Sequence, residues 1–156
     1  MFIKKNISFM KHYLIGLILL LSIGSVIQAA DNKGITLTVS VSELRNSNGN
    51  VVFALYNRED AFPDEQYKKY YKILRGKIAN YSSVVIFKDL PSGEYAVNIL
   101  HDENNDGKIK KKFIKPVEGI GFSNFQSIGF SNRPTFEKAS FNLRKSTTIS
   151  VTILYF

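Results

Sequence analysis

The segment HDENNDGK, which begins at His101, carries the side chains best suited to chemistry in this sequence. Asp102, Asn104 and Asp106 occupy alternate positions before Gly107. The same spacing opens a calcium loop, where short oxygen-bearing side chains converge and glycine permits a sharp turn. The rest of an EF-hand is missing, because the twelfth position is a phenylalanine rather than an acid.

Glu118 is the nearest later acid and completes the ligand set Asp102, Asn104, Asp106 and Glu118 if the loop folds back. Between Asp106 and Glu118 the chain carries Lys110, Lys111 and Lys112. Their positive charges oppose the binding of a divalent cation. In the alternative interpretation, the loop is a series of Asx turns whose Asp and Asn side chains accept hydrogen bonds from their own backbone. The residues therefore leave open a weak calcium site and a self-capped turn.

His101 is the only histidine beyond the N-terminal segment, and its acidic neighbours suit a general base near pH 7. Ser123 and Ser131 are available as nucleophiles, but neither lies in a nucleophile-elbow sequence. A hydrolase that uses His101 is one hypothesis. The other is a histidine at a strand end whose ring bonds a loop carbonyl, and it leads us to expect a non-enzymatic protein.

The elements that must position this loop are strands, because apolar and polar residues alternate with a period of two. The segments that show this pattern or a β-branched run are 35–42, 51–56, 82–87, 95–100, 139–143 and 147–154. The turn-forming residues 46–49 predict a hairpin between the first two strands. The predicted inward-facing residues are Leu37, Val39, Val41, Val52, Ala54, Val85, Phe87, Ala96, Asn98 or its neighbours Val97 and Ile99, Phe141, Val151 and Ile153.

Two segments depart from the strand pattern. Pro63 and the helical spacing of tyrosines after it predict one short helix over residues 63–75. Residues 103–134 form a connection too long to be structureless. GFSN occurs twice in it, at 121–124 and 129–132, which suggests that Phe122 and Phe130 act as aromatic pegs, side chains that fix the connection to a sheet edge. The prediction is an all-β fold, a single antiparallel β-sandwich of six to eight strands with one short helix.

The N-terminal residues resemble a secretory signal peptide. Lys4, Lys5 and Lys11 precede an apolar run at 13–27, and the small residues Ala29 and Ala30 follow it. The run of 15 residues is shorter than the roughly 20 needed to cross a bilayer as a helix. We therefore predict a signal peptide at 1–30, a single mature domain at 31–156 without a transmembrane segment, and export to the periplasm or the medium.

The excess of basic over acidic residues indicates which kinds of partner the protein could bind. The 156 residues contain 21 basic and 13 acidic side chains, and removing the three N-terminal lysines lowers the formal net charge from +8 to +5. With no cysteine, disulfides, zinc-thiolate sites and thiol nucleophiles are excluded. Export argues against nucleic acid, so the basic clusters within 68–77 and 108–115 suggest cell-envelope polysaccharide, lipid headgroups or protein as partners, or simply a solvated lysine surface.

Four segments together resemble a bacterial exported family known as domain of unknown function 2141: LPSGEYAV at 90–97, HDENNDGK at 101–108, EGIGFSN at 118–124 and PTFEKASF at 134–141. The resemblance implies a signal-bearing protein with a β-sandwich of transthyretin-like or immunoglobulin-like type, and it implies no established activity. Relatives usually carry an Asp where this chain has Lys110, which weakens the metal hypothesis for this member.

Overall fold

The computed structural model describes residues 34–113 and 115–156, so the predicted signal peptide at 1–30 lies outside the described residues. Within them are ten strands, one α-helical turn and one 3-10 turn, Glu59–Ala61. The strands are β1 (Ile35–Val41), β2 (Asn50–Tyr56), β3 (Lys72–Gly76), β4 (Ser83–Leu90), β5 (Gly93–Asp102), β6 (Lys111–Lys112), β7 (Lys115–Pro116), β8 (Gly119–Phe122), β9 (Phe141–Leu143) and β10 (Thr147–Ser150), and the helix is α1 (Phe136–Ala139). None of the described helices is long and apolar enough to span a membrane.

Eight of the ten described strands form two sheets that pack face to face, which confirms the predicted β-sandwich, and β6 and β7 pair as a separate two-stranded sheet. One sheet has the order β10-β1-β4, and the other has the order β3-β2-β5-β8 with β9 also paired to β5. A single apolar core lies between them and includes Leu37, Phe87, Phe53 and Ile99. Every strand pair is antiparallel except β1 with β10, which is parallel. The predicted antiparallel arrangement therefore holds for every pair of described strands except this one.

The predicted hairpin between β1 and β2 is also wrong, because β1 pairs with β4 while β2 pairs with β3 and β5. The chain changes sheets at residues 42–49. The reason lies in β2 itself, which is apolar on both faces and so requires a central position with cover on each side. Phe53 faces the core between the sheets, whereas Val52, Ala54 and Ala96, which we expected there, face a second core.

This second core covers the outer face of the larger sheet. The segments after β2, β5 and β8 supply its outer layer, which contains Ala61, Phe62, Tyr67, Ile109, Phe125, Phe136 and Ala139. The described residues of the long connection 103–134 are therefore ordered, as predicted, and they include β6, β7 and β8. The two GFSN copies differ: Phe122 is 5% exposed and packs in this core, whereas Phe130 is 90% exposed and is not the peg we expected.

The predicted helix over 63–75 is wrong. The Asp64 carboxylate accepts hydrogen bonds from the amides of Gln66, Lys68 and Lys69, at 3.2, 2.5 and 2.6 Å. These bonds fold the chain into a compact turn instead, and Tyr67 at its centre has a φ of +50°. From residue 72 onward the chain is β3, which pairs with β2.

Candidate functional site

The acidic segment lies at the end of β5, and strand register brings Glu118 to it. β8 runs antiparallel to β5 with Gly119 opposite His101, so the residue before β8 lies beside the residues that follow β5. The Glu103 amide donates to Glu118 Oε1 at 3.0 Å. The predicted return of the loop is therefore present, and sheet pairing produces it.

Three carboxylates meet at this point: one ligand oxygen each from Asp102, Asp106 and Glu118 lies within 4.8 Å of the others. Two oxygens bound to one calcium ion, each at about 2.3 to 2.6 Å, are separated by no more than about 5 Å. The cluster thus fits around one ion at the upper limit of this spacing. Asn104, the fourth predicted ligand, is exposed, and its Oδ1 accepts from the Asp106 amide at 2.9 Å.

The same side chains cap the loop. Asp102 is fully buried; its Oδ1 accepts from the Asp106 amide at 3.0 Å and its Oδ2 from the Gly107 amide at 2.9 Å. Asp106 Oδ1 in turn accepts from the Lys108 amide at 3.1 Å. These are the Asx-type contacts of the alternative interpretation. The carboxylates therefore hold the loop in shape whether or not they also bind an ion.

Glu118 differs from the other two acids because one of its two carboxylate oxygens accepts no hydrogen bond from the described residues. The residue is 4% exposed, and Oε2 has no hydrogen-bond partner among the described residues. Burial raises the pKa of Glu118 and the neighbouring Asp102 and Asp106 carboxylates raise it further, whereas the nearby backbone amides of Asn104 and Glu103 lower it. An ionised Glu118 is thus buried in a negative environment, which favours either a proton or a cation at Oε2.

His101 is a structural residue in this geometry. Its ring is fully buried, Nε2 lies 3.1 Å from the Asn48 carbonyl oxygen, and Nδ1 lies 2.7 Å from the Tyr155 hydroxyl. Because a carbonyl only accepts, we assign the proton to Nε2, and Nδ1 accepts from Tyr155. Burial lowers the pKa of His101, which favours this neutral ring. Both nitrogens are engaged, so the hydrolase hypothesis gains no support.

The serines proposed as partners of that histidine are placed elsewhere. Ser123 is buried beside β5, where its hydroxyl donates to the Ala139 carbonyl at 2.6 Å and accepts from the Val97 amide at 2.9 Å. Ser131 lies in an exposed turn. Neither contacts His101 among the described hydrogen bonds, so the arrangement contains no serine–histidine pair.

Several residues of the site were missed from the sequence. Arg75 on β3 places a guanidinium nitrogen 3.3 Å from Asp102 Oδ2. Arg45 lies 2.5 Å from Glu103 Oε1 and also covers the Tyr155 ring. Their partners are distant in sequence, so no local spacing could have identified them.

Gly49 is a backbone requirement of the site. With a φ of +68°, it packs so closely that an added Cβ would lie 1.9 Å from the Asp102 carbonyl oxygen. The sequence showed a turn there, but not its contact with the acidic loop. Of the three lysines expected to oppose a cation, Lys111 instead donates to Glu65 at 2.6 Å.

Fold and site together define a two-layer β-sandwich with an acidic loop at one end of its larger sheet. Residues 39–150 match the model of a family described as "Uncharacterized protein conserved in bacteria (DUF2141)". The chain belongs to this family, which confirms the resemblance carried by its four motifs. No match was found among curated proteins or among solved structures.

Proposed function

We propose that this domain is an exported, non-enzymatic binding module that holds a calcium ion weakly at the loop following β5. The ion would lie between Asp102, Asp106 and Glu118 and would link the end of β5 to the start of β8. Such an ion strengthens the loop by neutralising its acids and takes no part in chemistry. The acidic end of the sandwich then presents a calcium-dependent surface to the cell envelope.

The observation that carries this proposal is the buried, unpartnered Oε2 of Glu118. A buried carboxylate oxygen without a partner is unfavourable by about 1 to 3 kcal/mol, and by more when it is charged. Here the nearest ionisable groups include two further carboxylates. A divalent cation satisfies the oxygen and offsets the repulsion in one step, whereas a water molecule would only satisfy the oxygen.

The same geometry predicts low affinity. Both oxygens of Asp102 already accept backbone amides, and its Oδ2 also faces Arg75. Competition from these donors weakens each metal–oxygen contact. Extracellular calcium modules bind with dissociation constants of about 0.1 to 1 mM, and we expect this site to lie at the weak end of that range.

Thermal unfolding with and without calcium tests the proposal. At a calcium concentration ten times the dissociation constant, ligand linkage stabilises the fold by about 1.4 kcal/mol, which corresponds to a rise in Tm of roughly 5 °C. We expect the double variant Asp106→Asn with Glu118→Gln to lose this rise. The control is Asp60→Asn, an exposed acid on the 3-10 turn, which should retain it.

A Tm that is the same in chelator and in about 10 mM calcium, ten times a dissociation constant of about 1 mM, would refute the calcium proposal. An equal rise in the double variant would do so as well, because the ion would then bind elsewhere. The self-capped turn is the second candidate role for the loop, and it is favoured by the amide contacts of Asp102. It predicts a folded, stable loop without any ion.

Export is supported by the basic, apolar and small-residue segments at the N-terminus. The intact mass of the protein recovered from outside the cytoplasm should correspond to a chain that begins at Ala30 or Asp31. A full-length chain recovered from the cytoplasm would contradict export. Cell-envelope polysaccharide or protein stays our prediction for the partner, on the basis of the lysine clusters.

A further inference from the structure

A cavity of about 780 Å³ lies on the outer face of the larger sheet, apart from the acidic loop. Its floor is apolar and comes from the second core, through Ile109, Ile120 and Phe122. Ile128 and Phe130 also line it. A cavity of this size lies in the range of about 300 to 1,000 Å³ that binds small molecules.

The charged side chains that line this cavity are mostly basic. Lys111, Lys115 and Arg133 are cationic, and Glu65 is the one acidic residue of the lining. Glu65 is already paired with Lys111 at 2.6 Å. Among residues 34–113 and 115–156, neither Lys115 nor Arg133 forms an ion pair. The cavity therefore has an apolar interior and two cations available to an anion.

An exposed aromatic residue adds a second indication. Phe130 is 90% exposed although it lines an apolar cavity, and the Arg133 guanidinium lies over its ring at 4.9 Å from the centroid. Exposure of a large aromatic surface is unfavourable in water, and a chain in the cavity would cover part of it. The cation beside this ring would meet the charged end of the same ligand.

We propose that this cavity binds a free long-chain carboxylate, with its aliphatic chain against Ile109, Ile120 and Ile128 and its anionic head near Lys115 and Arg133. The ligand class follows from the pairing of an apolar floor with unpaired cations. A neutral apolar ligand would leave the cations unused. A small anion would leave the floor exposed, so neither matches both features.

Calorimetric titration in chelator, with dodecanoate below its micellar concentration, tests this proposal. Each methylene buried adds about 0.8 kcal/mol, so affinity should rise roughly fourfold per methylene from octanoate to dodecanoate. Dodecyltrimethylammonium, which has the same chain and the opposite charge, should bind at least tenfold more weakly. Chelator keeps the result independent of the calcium proposal.

Two variants separate the contributions of charge and chain. Lys115→Glu with Arg133→Glu should weaken dodecanoate at least tenfold and strengthen the cationic amphiphile. The matched control, Arg144→Glu with Lys145→Glu, makes the same change in net charge in the turn between β9 and β10 and should leave both unchanged. Ile128→Asp should weaken both ligands, and circular dichroism verifies that each variant folds.

Affinity that does not depend on chain length would overturn the proposal, since it would indicate surface ion binding only. Equal affinity for the two amphiphiles, or equal loss in the control variant, would overturn it too. If dodecanoate fails to bind while the protein sediments with phosphatidylglycerol vesicles, the exposed aromatic and basic residues serve a bilayer surface instead. That outcome also rejects the cavity ligand.

Discussion

Replacement of Asp102 by alanine is the change that most directly tests whether the acidic loop is built by its own side chains. The carboxylate is fully buried and accepts two backbone amides, from Asp106 at 3.0 Å and from Gly107 at 2.9 Å. It also faces the Arg75 guanidinium at 3.3 Å. Alanine removes all three contacts and supplies no acceptor.

The magnitude follows from these contacts. Each hydrogen bond to a charged group contributes about 1.5 to 3 kcal/mol, but Asp106 and Gly107 lie in a partly exposed loop where water can replace the lost acceptor. The Arg75 side chain is about half exposed, so its ion pair adds little after solvent screening. We therefore expect a net loss of about 2 kcal/mol, or roughly 8 °C in Tm.

Urea unfolding monitored by circular dichroism measures this loss, and chelator removes any contribution from bound calcium. The control is Asp60→Ala, whose exposed side chain pairs with Arg58 at 3.5 Å and should change stability by less than about 0.5 kcal/mol. If Asp102→Ala unfolds in chelator at the same urea concentration as the wild type, the amide contacts do not hold the loop and our account of it is wrong.

Three further predictions concern the surroundings of the loop. Gly49→Ala places a Cβ against a backbone carbonyl at positive φ and should lower the free energy of unfolding by at least about 2 kcal/mol in the same urea assay. Tyr155→Phe removes the hydroxyl that contacts His101 Nδ1 at 2.7 Å and accepts from the Arg45 amide at 3.1 Å. Because water can replace the acceptor at the exposed Arg45 amide, the net loss is that of one hydrogen bond of about 1 kcal/mol, or roughly 4 °C in Tm. Because the folded-state pKa of Glu118 is raised above its ordinary value of 4.5, its stabilising contribution is present below pH 4.5 and is lost as pH rises through the folded-state pKa. In chelator, Glu118→Gln should therefore flatten the decline in stability with rising pH.

Each of these predictions has a result that contradicts it. Gly129→Ala is the control for Gly49→Ala, because nothing lies within 4 Å of its added Cβ; equal losses at the two glycines would reject the packing argument. An unchanged Tm in Tyr155→Phe would mean that the hydroxyl contributes nothing to holding His101. Parallel stability curves for the wild type and Glu118→Gln across the acidic range would show that this carboxyl does not titrate as its environment requires.

The strands were predictable because alternation indicates one buried face, as in β1 and β4, and a continuous apolar run indicates two, as in β2. β1, β4 and β5 lie within a few residues of the predicted segments. Pairing was not predictable. The turn-like residues 46–49 favoured a hairpin, but that segment carries the chain from one sheet to the other. Which strand pairs with which depends on the cover available to both faces of β2, and this cover comes from distant loops.

The candidate site, too, was predictable in part: its local residues were, and its distant contacts were not. Spacing identified the oxygen-rich loop and named Glu118 as the acid that would return to it, and the register of β8 against β5 brings it there. Spacing could not identify Arg75. Its strand, β3, pairs with β2, whereas its side chain contacts Asp102 at the end of β5, 27 residues further along the chain. The helix over 63–75 failed for a related reason, since the Asp64 side chain takes three backbone amides of its own turn.

The most direct test of calcium at this loop is a nuclear magnetic resonance titration of the backbone amides. Millimolar calcium should shift the backbone amides that donate to the three carboxylates, those of Glu103, Asp106, Gly107 and Lys108, in one saturating transition with a single dissociation constant. Magnesium, which requires smaller and more regular geometry, should shift them less. Loop amides that stay unchanged through millimolar calcium, in a spectrum that otherwise shows a folded domain, would contradict the proposed site.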